Sequence, residues 1–211
     1  LPLEAIADTI TVADKEKGKD FDAFYNDDNC VIEFLTAQTE AVRVKYSVVD
    51  PSQITKDDII GGYSIATHKT TGLELIDGVF PKYTMDLILC PNWSHDAEVA
   101  AIMAAKAENI NGVFEAMAIL DVDTTEASGV TYYSDVPEWK KRKNFMKSME
   151  IVCFPRLALG ERDFNFSTQL AGSMSATDAE EDFGGGTPCE SASNKTLQAD
   201  RMVTADGTEV V

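Results

Sequence analysis

Three short apolar runs, two of them stopped by proline, constrain this chain more than any other feature. They are Asp86-Leu87-Ile88-Leu89-Cys90-Pro91, then Phe114 to Leu120, then Glu150-Ile151-Val152-Cys153-Phe154-Pro155. None alternates polar with apolar, which is the pattern of a strand covered on both faces. Proline cannot donate to a ladder, so Pro91 and Pro155 close the first and third runs. An Ala-rich helix is predicted between the first two, from about His95 to Ile110. Ser94 stands as its N-cap, with Asp96 and Glu98 in the first turn, where the helix dipole favours acids. Val99, Ile102, Met103 and Ile110 form its apolar stripe, and Asn111-Gly112 supplies a left-handed stop. A shorter helix, about Pro137–Phe145, separates the second run from the third. Strand and helix alternating at this spacing predict an α/β fold: a mainly parallel sheet with flanking helices. A later helix, about Thr168–Glu181, is expected to pack on the same sheet. The stretch Asp182–Ser193, with Gly184-Gly185-Gly186 and Pro188, reads as an exposed loop.

Ahead of this α/β body (residues 53–211), residues 1–52 read as a small antiparallel β module of three or four strands. Thr9-Ile10-Thr11-Val12, Cys30 to Leu35 and Ala41 to Val48 alternate with period two, the last most clearly. Lys17-Gly18-Lys19-Asp20 and Asn26-Asp27-Asp28-Asn29 are turn clusters, because Asn and Asp side chains bond their own backbone. Asp50-Pro51-Ser52 ends the module. The acidic tetrad, with Asp20 and Asp22 nearby, lacks the alternate ligands, the central Gly and the closing Glu of a calcium loop, so it reads as a plain hairpin turn.

Charge narrows the function further. Thirty-six acidic residues face 18 basic ones, a formal charge of −18. A surface this negative repels phosphate backbones and anionic lipid headgroups, so neither nucleic acid nor membrane is an expected partner. No apolar run approaches the roughly 18 residues of a membrane span, and no secretory leader is visible. Cys30, Cys90, Cys153 and Cys189 are far apart. With only His68 and His95 to help, they lack the paired spacing of a zinc site; Cys90 and Cys153, inside apolar runs, read as buried small hydrophobes. A reducing, cytoplasmic place of folding fits these features. The chain starts at Leu1 and stops in what reads as a strand, Thr208-Glu209-Val210-Val211, so it is expected to be a piece of a longer protein.

An open parallel sheet directs the search for chemistry to the carboxyl ends of its strands. The residues there are Cys90 to Asp96, then Asp121-Val122-Asp123, then Phe154-Pro155-Arg156. Ser94, His95 and Asp96 are adjacent, and neighbours on a helix point about 100° apart, so they cannot form a triad among themselves. Asp121 and Asp123, two apart on a strand, share a face and could hold a divalent metal, but a solvated strand end is the favoured reading. The triple glycine lacks the Gly-Lys-Ser/Thr of a phosphate loop. No catalytic, cofactor-binding or metal-ligating set is expected. The rival reading is a small-molecule enzyme with a pocket near Trp93, His95 and Asp121.

Several segments in fixed order carry a resemblance. Asp57-Asp58-Ile59-Ile60-Gly61-Gly62, Thr70 to Ile76, Val79-Phe80, Leu87–Asp96 and Ala104 to Glu108 are similar to contractile-tail sheath proteins of phages. So are Ile119-Leu120-Asp121-Val122, Ser167 to Gly172 and Ser193-Asn194-Lys195. The resemblance covers about residues 57–211; residues 1–52 look like a β insert, and the family's amino-terminal arm and carboxy-terminal domain have no counterpart. It implies a structural, non-enzymatic subunit without cofactors, assembled in the bacterial host cytoplasm and residing in the virion tail. Such subunits stack in six-fold rings around an inner tail tube and, triggered at the baseplate, contract to drive the tube through a cell envelope. A phage-derived bacteriocin or another contractile injection system is implied equally well.

Overall fold

The computed structural model describes residues 1–2, 4–26, 29–79, 82–83, 85–179 and 196–210. Asp27 and Asp28 of the turn tetrad, the glycine-rich stretch 182–193, Cys189, Asn194-Lys195 and Val211 lie outside the described residues. The chain divides into two compact units, Leu1–Thr55 and Lys56–Val211.

The first unit is all β. It contains β1 (Thr11–Val12), β2 (Phe21–Tyr25), β3 (Cys30–Phe34) and β4 (Val44–Lys45). β2 and β3 form an antiparallel hairpin in the register Phe21↔Phe34 to Tyr25↔Cys30, and β1 pairs with β4. Alternation turns Phe21, Cys30, Ile10 and Val12 into a small core with Ala5 and Ala7. The run 41–48, for all its alternation, gives only the two-residue β4 and a bridge at Ala5↔Val48. The reason lies in the opposite segment, which breaks into a 3-10 turn at Ala7–Thr9. There the Thr9 hydroxyl donates to the Ile6 carbonyl at 2.7 Å and accepts from the Ser47 N–H at 2.9 Å, replacing a ladder bond.

The second unit opens with α1 (Lys56–Ile60), the hairpin β5 (Gly62–Ser64) and β6 (Lys69–Thr71), and α2 (Leu75–Val79). Gly61 and Gly72 both hold positive φ where two backbones pass. A Cβ on Gly61 would run into the Thr71 carbonyl, and one on Gly72 into that of Ile59. Only glycine tolerates both demands.

Next come β7 (Leu87–Leu89), α3 (Ala97–Glu108), β8 (Met117–Asp121), α4 (Val136–Lys143) and β9 (Glu150–Cys153). β7, β8 and β9 form a parallel three-stranded sheet with β8 central. Strand parity assigns its two faces. Ile88, Ala118, Leu120 and Val152 join Val99, Ala100, Met103 and Ala107 of α3, together with Trp139 and Phe145. Leu87, Leu89, Ile119, Ile151 and Cys153 join Phe166, Leu170, Ala171 and Met174 of α5 (Phe166–Asp178). Helices therefore cover both faces, which is why the three runs are continuously apolar. Trp139 is 1% exposed and meets Phe145 edge-on, with ring centroids 5.0 Å apart.

The fold is thus broadly α/β, but among the described strands parallel pairing is confined to these three. β10 (Arg156–Leu159), β11 (Arg162–Phe164) and β12 (Arg201–Val203) form a separate antiparallel sheet in the order β11-β10-β12. Reading Pro155 as the end of strand structure passed over this hairpin, whose turn is Gly160-Glu161. Boundaries also shift. α3 begins at Ala97, not His95, because Asp96 rather than Ser94 is its cap: the Asp96 carboxyl accepts from the N–H groups of Glu98 at 2.8 Å and Val99 at 3.3 Å. β8 begins at Met117 rather than Phe114, because residues 110–114 close a tight turn in which the Ile110 carbonyl accepts from the N–H groups of Val113 and Phe114.

Candidate functional site

The carboxyl ends of β7, β8 and β9 converge on Asp121, the last residue of β8. Its parity matches Ile119, so its side chain lies on the face that α5 covers, and it is 6% exposed. Four hydrogen bonds fix it. The Ser167 N–H donates to Oδ1 at 2.9 Å and the Ser167 hydroxyl donates to Oδ2 at 2.5 Å. The Ser94 hydroxyl donates to Oδ2 at 3.1 Å and accepts from the Asp121 N–H at 2.9 Å. Ser94 and Ser167 are both fully buried. Asp121 therefore sits at the amino end of α5, where free N–H groups and the helix dipole favour a carboxyl group. It caps that helix from another strand and ties in the β7–α3 loop.

The residues named as candidates divide accordingly. Ser94 is consumed by the Asp121 network, Asp96 by the α3 cap, and Trp93 packs half-buried against the α3-side core. Asp123 lies beyond the strand, with Oδ1 accepting from the Thr125 N–H at 3.0 Å and from its hydroxyl at 2.7 Å. Asp121 and Asp123 do line one crevice, together with Asn92, His95, Arg156 and Asn165. Asn165 Nδ2 donates to Asn92 Oδ1 at 2.8 Å across it, and Arg156 reaches Asn165 Oδ1 at 3.5 Å. The crevice holds about 70 Å³, against roughly 300–1,000 Å³ for a site that encloses a drug-sized ligand. Among the described residues no group of three or more His, Cys, Asp or Glu side chains is placed to hold a metal ion. His68 is remote in sequence and shares a 3.0 Å hydrogen bond with the Tyr63 hydroxyl.

Two of the thiols, Cys90 and Cys153, are withdrawn from chemistry. Burial, helped by the nearby Asp121 carboxyl, pushes Cys153 up to about 12. Burial also raises Cys90. Nucleophilic sulfur needs the opposite shift. A larger hollow of about 480 Å³ runs along α5, lined by Thr168, Gln169, Gly172, Ser173, Ala176 and Leu197 among others, none of them titratable. No helix among the described residues is long and apolar enough to cross a membrane.

Compared with known proteins, the chain matches no family model, no curated protein and no solved structure.

Two features escaped the sequence reading. Ser167 gave no sign of its role, because the residue it serves is 46 positions away. The run Lys140-Lys141-Arg142-Lys143 is the densest block of cations in an acidic chain, and the structure places it on α4 with Lys141 and Arg142 exposed.

Proposed function

We propose that this chain is the body of a contractile-tail sheath subunit, a structural protein that works by self-assembly around an inner tube. The ordered series of sheath-like segments from Asp57 to Lys195 carries the reading. Three physical features support it. The carboxyl end of the parallel sheet, where an α/β enzyme would bind its substrate, is filled by hydrogen bonds that join secondary-structure elements. Burial holds the Cys90 and Cys153 thiols protonated. The body is cross-tied by Asp121 and by helices on both sheet faces, as a subunit that moves nearly rigidly during contraction requires. In this reading a mainly parallel sheet is the framework of the subunit body, and the antiparallel pieces are additions at its margins.

Its partners are further copies of itself in stacked six-fold rings, the inner tail tube and the baseplate, and its place is the virion tail, reached by assembly in the bacterial cytoplasm. A phage-derived bacteriocin or other contractile injection system places the same demands on the subunit. Negative-stain electron microscopy of the full-length protein tests the proposal. Sheath-like tubes or stacked rings are expected; a dispersed monomer at high concentration, under every salt condition tried, would refute it.

A further inference from the structure

The chain concentrates its cations. Lys140, Lys141, Arg142, Lys143 and Lys147, five of its 18 basic residues, fall within eight positions that hold no acid. The rest of the molecule carries 36 acidic and 13 basic residues, a net −23. Trp139, buried in the core, fixes how these cations are presented. At 100° per residue Lys141 points away from the core, Lys140 and Arg142 flank it, and Lys143 returns toward the Trp139 side. Lys141 and Arg142 are accordingly exposed, and Lys140 and Lys143 half-buried.

Cations in a last turn offset the helix dipole, but that accounts for one or two charges, not five. Lys147 pairs with Glu108 at 3.5 Å, and Arg142 donates to the Ser128 carbonyl at 3.1 Å. Lys140, Lys141 and Lys143 have no ion pair among the described residues. The segments on either side of α4 expose Tyr132, Tyr133 and Met146, and tyrosine, methionine and arginine are residues enriched in protein interfaces.

A complementary face exists in the first unit. On the outer side of the β2–β3 hairpin Asp22 and Glu33 stand directly opposite each other in the register. Both are exposed and neither is ion-paired among the described residues. Like charges so placed repel, and a cation brought between them removes the repulsion. Phe24, on the same outer side, is 44% exposed.

We propose that the α4 ridge of one copy docks on the outer face of the β2–β3 hairpin of a second copy. The contact joins two different patches, so a docked pair retains one free ridge and one free hairpin, and heterologous contacts of this kind build rings or helices. Charge pairing of this sort sets register more than affinity, so a single contact is weak and counts once other links hold copies close. The inference rests on the sheath reading for its place in an assembly, but not for its test.

The test is a charge swap in the 211-residue chain, read by sedimentation at millimolar protein and low salt. The parent is expected to self-associate weakly and to lose this in high salt. Lys140→Glu/Lys141→Glu/Arg142→Glu alone, and Asp22→Lys/Glu33→Lys alone, should each weaken association about tenfold or more. Mixed together they should associate again, because the reversed ridge meets the reversed hairpin and the unaltered ridge of one variant meets the unaltered hairpin of the other. If the triple change unfolds the chain by circular dichroism, Lys141→Glu at the outermost position gives the same pattern at smaller amplitude. A variant that self-associates like the parent, or a mixture that stays monomeric, overturns the docking. So does micromolar binding of an oligodeoxynucleotide to the ridge without self-association. A failed swap beside intact tubes of the full-length protein would remove this contact and keep the sheath reading; a working swap without tubes would do the reverse.

Discussion

Asp121 shows at a single residue how a motif that invites a chemical reading is used for structure. A carboxyl group at a parallel strand end, two positions from another acid, has the sequence form of a metal site, but it is spent on Ser94 and Ser167. Removing it leaves buried donors without acceptors, which costs more than the bonds themselves contribute. Asp121→Ala is therefore expected to destabilise the second unit by about 3 kcal/mol, a fall of about 6–12 °C in its melting temperature. A loss under about 1 kcal/mol, measured by urea or thermal unfolding, would show that the network adds nothing. Cys153 gives an independent check. With its thiol pushed up to about 12, only about one molecule in ten thousand is thiolate at pH 8, and the thiolate is the reactive form. Iodoacetamide at pH 8, followed by peptide mass spectrometry, should leave Cys153 unmodified in the folded protein and label it in urea. Rapid labelling of the folded protein would contradict both the burial and the shift.

Elements were legible where local pattern and tertiary setting agree. The runs at 86–90 and 150–154 announced β7 and β9 because both faces of the sheet are covered, and the alanines of the next segment announced α3. β10 and β11 were not announced: each is short, and Arg162-Asp163-Phe164 gains its strand character only from pairing with Leu157-Ala158-Leu159. The cap of α3 was misplaced by two residues because Ser94 and Asp96 are equally good caps in isolation, and only the distant Asp121 decides between them. A link of the same long-range kind holds α3 to α2. The Lys106 ammonium reaches Asp77 at 2.7 Å and Glu74 at 2.8 Å. The Lys106 hydrogen bond holds the Asp77 carboxyl below its usual range, against burial, which would raise it. Burial alone would lower Lys106, but its bonds to Asp77 and Glu74 outweigh this and raise it. The depressed carboxyl contributes stability above its unfolded value of about 3.9 and loses it as pH falls through the folded value. The raised ammonium contributes below its unfolded value of about 10.4 and loses it as pH rises through the folded value. Lys106→Met should therefore cost about 1 kcal/mol at pH 7, a modest figure because both carboxylates are more than a third exposed. The gap in melting temperature between parent and variant should hold steady from about pH 5 to 9 and close below about pH 4 and above about pH 10. A gap that stays constant into acid would mean that packing of the Lys106 stem, and not its charge, joins the helices.

At the scale of the whole molecule the switch from period-two alternation to strand–helix alternation was the most informative signal, because each period belongs to a different way of burying apolar surface. The hydrophobic clusters follow the same division: one lies wholly within residues 5–44, and the other two wholly within residues 59–174. Among the described residues each buried apolar side chain belongs to one cluster, and the clusters differ in size, so the two units should differ sharply when expressed apart. Residues 56–211 keep both sheet faces covered, along with the Asp121 network and the Lys106 clamp. They should unfold in a single cooperative transition, followed by the fluorescence of Trp139 as it leaves the core and by circular dichroism. Residues 1–55 have a different balance. Their buried core is Ala5, Ala7, Ile10, Val12, Phe21 and Cys30, in which only Phe21 is an aromatic side chain. A chain of this size buries about 60% of its unfolded surface at best and is marginal even with a full core. The isolated first unit is therefore expected to lack protected amides in hydrogen exchange at 25 °C, while the isolated second unit keeps them on β8 and α3. Gradual, non-cooperative melting of residues 56–211 would place essential core contacts across the boundary at Thr55, and a protected, cooperatively melting 1–55 would mean that turn chemistry at 17–20 and 26–29 supplies more stability than its core does.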